Sequence, residues 1–242
     1  MASPRLVAAV TATLLVATAT VHAAGIHDAV KAGDRAQVEA LIETDAALVN
    51  ARDEDGRTPL HWAARGPDIA LARLLVTRGA DVNAVDARGI APLHSLALRG
   101  ASDGIRLLSA GGAKVDLRAP NGSTALHFAV LGGRTEAVRA LLEVGAGLEA
   151  KDAYGRTPLS VAAREMAPVD VVRTLLDAGA AVDTTDESGA TPLSLAAWRG
   201  SADVVDLLLQ RGAAIPADGP ERGRLEPALL RKQLELAELE GD

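Results

Sequence analysis

Thr58-Pro59-Leu60-His61 recurs along the chain in closely related form, and its spacing decides the fold. The counterparts begin at Ala91, Thr124, Thr157 and Thr191, at intervals of 33, 33, 33 and 34 residues. A ladder this regular indicates a tandem repeat. One unit of such an array cannot bury its own apolar face, so each unit stacks on the next.

Each recurrence lies in the same frame of turn and helix signals. In the first repeat Gly56 precedes the motif by two residues, and Leu74-Leu75 and then Gly79-Ala80 follow it. Thr58 is a suitable N-cap, and the Pro after it suits the first helical position, where its missing N–H costs nothing. Gly79 can end a second helix in a left-handed conformation. The frame therefore predicts two short antiparallel helices per repeat, with a turn between repeats.

The period and the Thr-Pro-Leu-His signature resemble those of the ankyrin-repeat family. The resemblance covers residues 24–218 and implies an all-α solenoid of paired antiparallel helices with short β-hairpin loops. It places the five signature repeats at residues 53–85, 86–118, 119–151, 152–185 and 186–218.

Both ends of the array depart from the signature, as the caps of a solenoid do. Residues 24–52 keep a helix-pair pattern without the Thr-Pro-Leu-His motif, which predicts an N-terminal capping repeat. Residues 219–242 are predicted to form a C-terminal helical cap. Leu229, Leu230 and Leu234 would share the apolar side of that cap and cover the last repeat.

The first residues are predicted to be an export signal, residues 1–23. Arg5 is followed by the apolar run Leu6–Val21, and Val21-His22-Ala23 supplies suitable residues before a signal-peptidase site. We expect a mature protein in the periplasm or outside the cell, beginning near Ala24. The alternative is an uncleaved membrane anchor, although sixteen residues that include four Thr make a short span. The usage of Ala, Gly and Arg favours a bacterial source.

Composition excludes several classes of function. Hydrophobic residues make up 48% of the chain but aromatic residues only 2%, which suits many thin helices packed in series. The net charge of -7 argues against nucleic acid or an anionic membrane as a partner, since both need a basic field. Because the chain has no cysteine, thiolate chemistry, a lipoprotein anchor and Cys-based zinc sites are excluded.

Some motifs suggest chemistry but have simpler explanations. His61, His94 and His127 form a column that could hold a metal. The family resemblance instead gives this His hydrogen bonds to backbone groups of neighbouring turns. Ser160 and Ser194 take its place in later repeats, without the Gly-x-Ser-x-Gly setting of an activated nucleophile. Aspartates at the starts of turns resemble Asx-turn caps. We predict no catalytic residue, no metal site and no cofactor.

For function, the resemblance implies a monomer that binds an unidentified protein partner through the hairpin loops and the concave face of the first helices. Two alternatives stay open: a secreted effector that binds a host protein, and an enzymatic or metal-binding activity within the repeats. The candidate surface positions are Glu54, Asp55, Arg57, Arg88, Leu98, Arg99, Leu131, Tyr154, Arg156, Arg164, Glu165, Trp198 and Arg199.

The partner is expected to dock across repeats four and five. Tyr154 and Trp198 are the expected anchors because they are aromatic residues at variable positions, and Tyr, Trp and Arg dominate interface energetics. Trp62 and Phe128 follow the signature His and are expected in the core. The alternative for Trp198 is a ring folded over its own helix pair. The predicted contact residues are Leu98, Arg99, Tyr154, Arg156, Arg164, Glu165, Trp198 and Arg199.

Overall fold

The computed structural model describes residues 25–215 and Leu225. It begins with helix α1 over residues 25–32. The later helices are α2 (Arg35–Thr44), α3 (Pro59–Arg65), α4 (Ile69–Thr77), α5 (Pro92–Arg99), α6 (Ser102–Ala110), α7 (Ala125–Leu131), α8 (Thr135–Glu143), α9 (Pro158–Arg164), α10 (Val169–Asp177), α11 (Pro192–Arg199) and α12 (Ala202–Gln210), with a 3-10 helix at Ala46–Asn50. The predicted pairs of short helices are confirmed. Among the described helices, none is long and apolar enough to cross a membrane.

Two predicted end segments lie outside the described residues. They are the export signal at residues 1–23 and the part of the C-terminal cap that contains Leu229, Leu230 and Leu234. Leu225, which belongs to the same predicted cap, is helical and fully buried.

The first helix of a repeat begins as its Thr-Pro pair dictates. Thr58 is the N-cap of α3 with an extended backbone, and Pro59 is the first helical residue. At the start of α11 the Thr191 side chain accepts the N–H of Ser194. These contacts satisfy amide groups that a helix start otherwise leaves without partners. The same side chains thereby set the position of every residue further along the helix.

The predicted β-hairpin loops between repeats are tight turns, and within residues 25–215 no residue is in a strand. In the first of them the Asp53 N–H donates to the Arg57 carbonyl at 3.0 Å, and the Gly56 N–H donates to the Asp53 carbonyl at 2.9 Å. The Asp53 carboxylate also accepts the N–H groups of Asp55 and Arg57, at 3.0 and 2.8 Å. This is the Asx-turn role predicted for the recurring aspartates. We call these turns the fingers.

Contacts divide the chain into two compact units. Of the described residues, the first unit contains those up to Leu96 together with Leu107–Lys114, and the second contains Ala97–Arg106 together with those from Val115 onward. The largest fully buried side chains are Ile26, Leu60, Leu75, Leu96 and Leu108 in the first unit, and Ile105, Leu126, Leu141, Leu159, Leu175, Leu193 and Leu208 in the second. Both cores are therefore aliphatic.

Candidate partner-binding surface

The seventh residue of the first helix is exposed in each repeat of the second unit. Leu98 in α5 is 45% exposed, Leu131 in α7 is 47% exposed and Trp198 in α11 is 57% exposed. In α9 the same place holds Arg164, and Met166, two residues later, is 55% exposed. We call Leu98, Leu131, Met166 and Trp198 the apolar edge.

Close contacts between neighbouring turns bring the Leu98, Leu131 and Met166 members of the apolar edge together. A side chain at Gly132 would place its Cβ 2.3 Å from the carbonyl oxygen of Leu98, so only glycine fits there. At Gly133 a Cβ would lie 3.1 Å from Cδ of Pro168. The turn after Leu131 therefore lies directly against the end of α5 on one side and the turn that carries Met166 on the other.

Tyr154 lies on the finger between α8 and α9 and is 58% exposed. Its ring is 4.7 Å from the guanidinium of Arg156, a cation–π contact. That guanidinium also donates two hydrogen bonds to Asp152, at 2.8 and 2.6 Å, and the Arg156 side chain is mostly buried. Arg156, which is held by Asp152, thus packs against the Tyr154 ring.

Hydrogen bonds to the Asp152 carboxylate tie this finger together. Burial would raise the pKa of Asp152, but hydrogen bonds from the Arg156 guanidinium and from the N–H groups of Arg156 and Tyr154 outweigh it and lower the pKa below its ordinary value. The Tyr154 carbonyl accepts the N–H of Glu187, on the next finger, at 3.1 Å. The Tyr154 backbone is therefore fixed from both sides.

The remaining predicted contact residues surround the ends of the first helices. Arg164 and Glu165 form an exposed ion pair at 3.4 Å. The Arg199 guanidinium lies 5.4 Å from the Trp198 ring. Arg99 is half-buried, and its buried Nε has no hydrogen-bond partner. The structure thus places Leu98, Arg99, Arg164, Glu165, Trp198 and Arg199 at equivalent helix ends, whereas Tyr154 and Arg156 lie on a finger.

The histidine column is structural, as the resemblance implies. Nδ1 of His61 accepts the Thr58 N–H at 3.0 Å, and Nε2 contacts the Ile90 carbonyl at 3.0 Å. Because Nδ1 accepts, Nε2 carries the proton and donates it to that carbonyl. Both nitrogens are therefore used within the repeats. Within the described residues, no group of three or more His, Asp or Glu side chains could hold a metal ion.

The expectation that Trp62 and Phe128 lie in the core is wrong. Both are half-buried. The indole Nε1 of Trp62 donates a 2.8 Å hydrogen bond to Oδ2 of Asp53. The indole N–H needs such a partner, which draws the ring toward the finger and away from the aliphatic interior.

A second column of polar residues, which the repeat frame leaves unassigned, joins consecutive repeats. Asn50 accepts the N–H of Asp81 at 2.8 Å, and Asp116 accepts that of Gly147 at 2.8 Å. In the sequence, this column is visible as a side chain able to form hydrogen bonds that recurs at the repeat spacing. The members of the column are Asn50, Asn83, Asp116, Glu149 and Asp183.

Comparison with known proteins agrees with the geometry. A family model of ankyrin repeats in three copies matches residues 26–119 and again residues 93–186, and a model of ankyrin repeats in many copies matches residues 175–221. The 26S proteasome non-ATPase regulatory subunit 10 of Dictyostelium discoideum is 45% identical over 47 residues, which are 19% of this chain and 20% of that protein. The chain spans about a fifth of the length of this curated relative. The helix pairs, the finger turns and the matched residues together show that the chain belongs to the ankyrin-repeat family, with the predicted all-α solenoid fold.

Proposed function

We propose that this protein is a non-enzymatic module that binds a partner protein on the apolar edge and on the finger of Tyr154. Ankyrin repeats indicate a protein–protein interaction module. The observation that carries the assignment to this surface is the exposure of Trp198. A large aromatic ring open to solvent, where the largest fully buried side chains of the described residues are all aliphatic, is a typical anchor of an interface.

The partner surface is expected to be apolar with acidic groups around it. Leu98, Leu131 and Met166 extend the apolar contact beyond Trp198, and Arg164 and Arg199 lie beside them. The ion pair of Arg164 with Glu165 is exposed and therefore weak, so an incoming carboxylate can compete for the guanidinium. A rim of arginines around an apolar centre favours a partner of opposite charge.

Rigidity of the surface favours binding. Asp152 and the Glu187 N–H hold the finger of Tyr154, and the close contact of Gly132 with Leu98 holds the helix ends. Little conformational freedom remains to be lost when a partner docks, which lowers the entropic cost of association.

A comparative pull-down tests this proposal. The mature protein and its Tyr154→Ala/Trp198→Ala double variant would be used as baits in an envelope extract. Val85→Ala is the matched control, because Val85 is an exposed apolar residue in the first unit. We expect a protein that is retained by the wild type and the control but lost from the double variant. Equal retention by all three baits would contradict the proposed surface.

We propose further that the protein acts in the periplasm or outside the cell. The support is the order of Arg5, the apolar run Leu6–Val21 and the site at Val21-His22-Ala23. Intact-mass analysis of protein recovered from an envelope fraction should give a chain that begins at Ala24 or Gly25. A mass that includes residues 1–23 would instead support a tethered protein.

A further inference from the structure

A groove with a volume of about 410 Å³ opens in the first unit, between the end of α1 and the turn from α3 to α4. Its lining includes Val30, Lys31, Trp62, Arg65, Pro67 and Leu71. A volume of this size is enough to take one or two large side chains. These residues belong to other repeats than Tyr154 and Trp198.

The groove is open beside Gly33 because Asp68 has a shorter side chain than its counterpart in a later repeat, Arg134. Gly33, Gly100 and Gly133 occupy the same place in their repeats, six residues after His27, His94 and His127. At Gly100 the Arg134 side chain from the next repeat covers the glycine, with Cδ 3.0 Å from a built Cβ. In the repeat that follows Gly33, the position equivalent to Arg134 is occupied by Asp68, whose side chain is shorter. A Cβ at Gly33 would accordingly have no atom within 4 Å. The glycine is therefore left uncovered.

Trp62 presents a fixed aromatic surface to this groove. Its indole Nε1 donates to Asp53, whose carboxylate is itself held by the N–H groups of Asp55 and Arg57. A ring held in this way loses little freedom on binding. With Val30 and Leu71 it forms an apolar floor, while the ring remains half-exposed.

Positively charged side chains outnumber negatively charged ones around that floor. Lys31 Nζ lies 4.4 Å from the Trp62 ring centroid, and the Arg65 guanidinium lies 5.9 Å from it. Lys31 has only a weak exposed pair with Asp28 at 3.4 Å. No carboxylate of the described residues lies within ion-pair distance of Arg65, which is exposed. Asp68 also lines the groove, but its carboxylate accepts the Ala70 N–H at 2.7 Å and caps α4.

We propose that this groove binds an acidic segment of a partner protein, with an apolar side chain against Trp62 and a neighbouring carboxylate on Arg65. The charge of the rim selects the occupant, because Lys31 and Arg65 outnumber the lining carboxylate of Asp68 and therefore favour an acidic segment over a basic one.

Trp62 provides a direct readout. The chain has two Trp residues, so the Trp198→Phe variant leaves Trp62 as the one indole reporter. The probe is the peptide acetyl-Glu-Glu-Leu-Leu-Glu-Glu-amide, and the control peptide has Lys in place of each Glu. We expect a saturable change in Trp62 emission with the acidic peptide, weakened by added salt, and none with the basic peptide.

Two further variants test the two parts of the argument. Arg65→Glu should weaken binding at least about tenfold, whereas Arg73→Glu, an equal charge change on α4 outside the lining residues, should leave it within about twofold. Asp68→Arg should cover Gly33 as Arg134 covers Gly100 and thereby abolish the response. Melting curves establish that each variant is folded. The proposal is overturned by equal responses to both peptides, by no saturable change up to about 1 mM peptide, or by unaltered binding in folded Arg65→Glu or Asp68→Arg.

Discussion

His127 joins its repeat to the next one through the Arg156 carbonyl, which lies 3.0 Å from Nε2 and 29 residues further along the chain. Nδ1 of the same ring accepts the Thr124 N–H at 3.2 Å, so the ring is neutral. Burial lowers the pKa of His127 below the ordinary value of 6.5, and it lowers the pKa of His61 in the same way. Each of these links therefore requires an uncharged imidazole.

We predict a loss of stability in mildly acidic solution. Below pH 6.5 the histidines of the unfolded chain bind protons that His61 and His127 in the folded chain do not, so the free energy of unfolding falls as the pH falls. Above pH 6.5 the stability that the neutral His61 and His127 contribute is fully present. The His61→Ser/His127→Ser variant should show a weaker dependence, since Ser already occupies the same place at Ser160 and Ser194.

Urea unfolding between pH 7.5 and pH 4.5 measures how the free energy of unfolding changes with pH. This slope can be compared between the two proteins even if their absolute stabilities differ. Below about pH 3.8 both proteins should lose stability again, because hydrogen bonds outweigh burial and lower the pKa values of Asp53, Asp152 and Asp186 below 3.8. A double variant with the same slope as the wild type between pH 6.5 and pH 4.5 would refute the histidine account.

Gly122 and Gly189 occupy the same place on two fingers and separate two costs of adding a side chain. Both have left-handed backbones, with φ of 75° and 80°. A Cβ at Gly122 would lie 2.7 Å from the N of Ala153, whereas one at Gly189 would meet nothing within 4 Å. We expect Gly189→Ala to cost about 1 kcal/mol and Gly122→Ala more than about 2 kcal/mol. Equal losses in the free energy of unfolding, measured by chemical denaturation, would show that the close contact between fingers at Gly122 adds nothing to the cost of the left-handed backbone.

Met166 has a left-handed backbone with φ of 55°, in the repeat that carries the extra residue. This conformation is unfavourable for a side chain with a Cβ, and the exposed side chain loses little packing if removed. Met166→Gly should therefore raise the free energy of unfolding by about 0.5–1 kcal/mol. Glu165→Gly is the control, because φ there is -91° and glycine offers no relief. A stability gain in the control or none at Met166 would be evidence against strain.

The repeat spacing made the helix pairs predictable because each signal acts within its own repeat. Thr58 before Pro59 caps a helix wherever it occurs, and Gly79 closes one with φ of 87°. The exposure of Tyr154 and Trp198 was also predictable, since the frame of the repeat leaves both positions free. Trp198 is 57% exposed, more than is expected of a ring folded over its own helix pair.

The environment of Trp62 could not be predicted from its own repeat. Its partner Asp53 lies on the finger, and the groove beside it depends on Asp68 being too short to reach Gly33. Arg156 presents the same difficulty, because the sequence shows an arginine at a variable position but not its hydrogen bonds to Asp152. Both features depend on side-chain length and direction across a turn, which a repeat pattern does not encode.

The measurement that tests the proposed function most directly is the affinity of Trp198→Ala for the protein captured by the wild type, determined by titration calorimetry alongside its melting temperature. If Trp198 is an interface anchor, affinity should fall by about 2 kcal/mol or more, roughly 30-fold, with the melting temperature nearly unchanged. Unchanged affinity together with a lowered melting temperature would contradict the account and assign Trp198 a purely structural role.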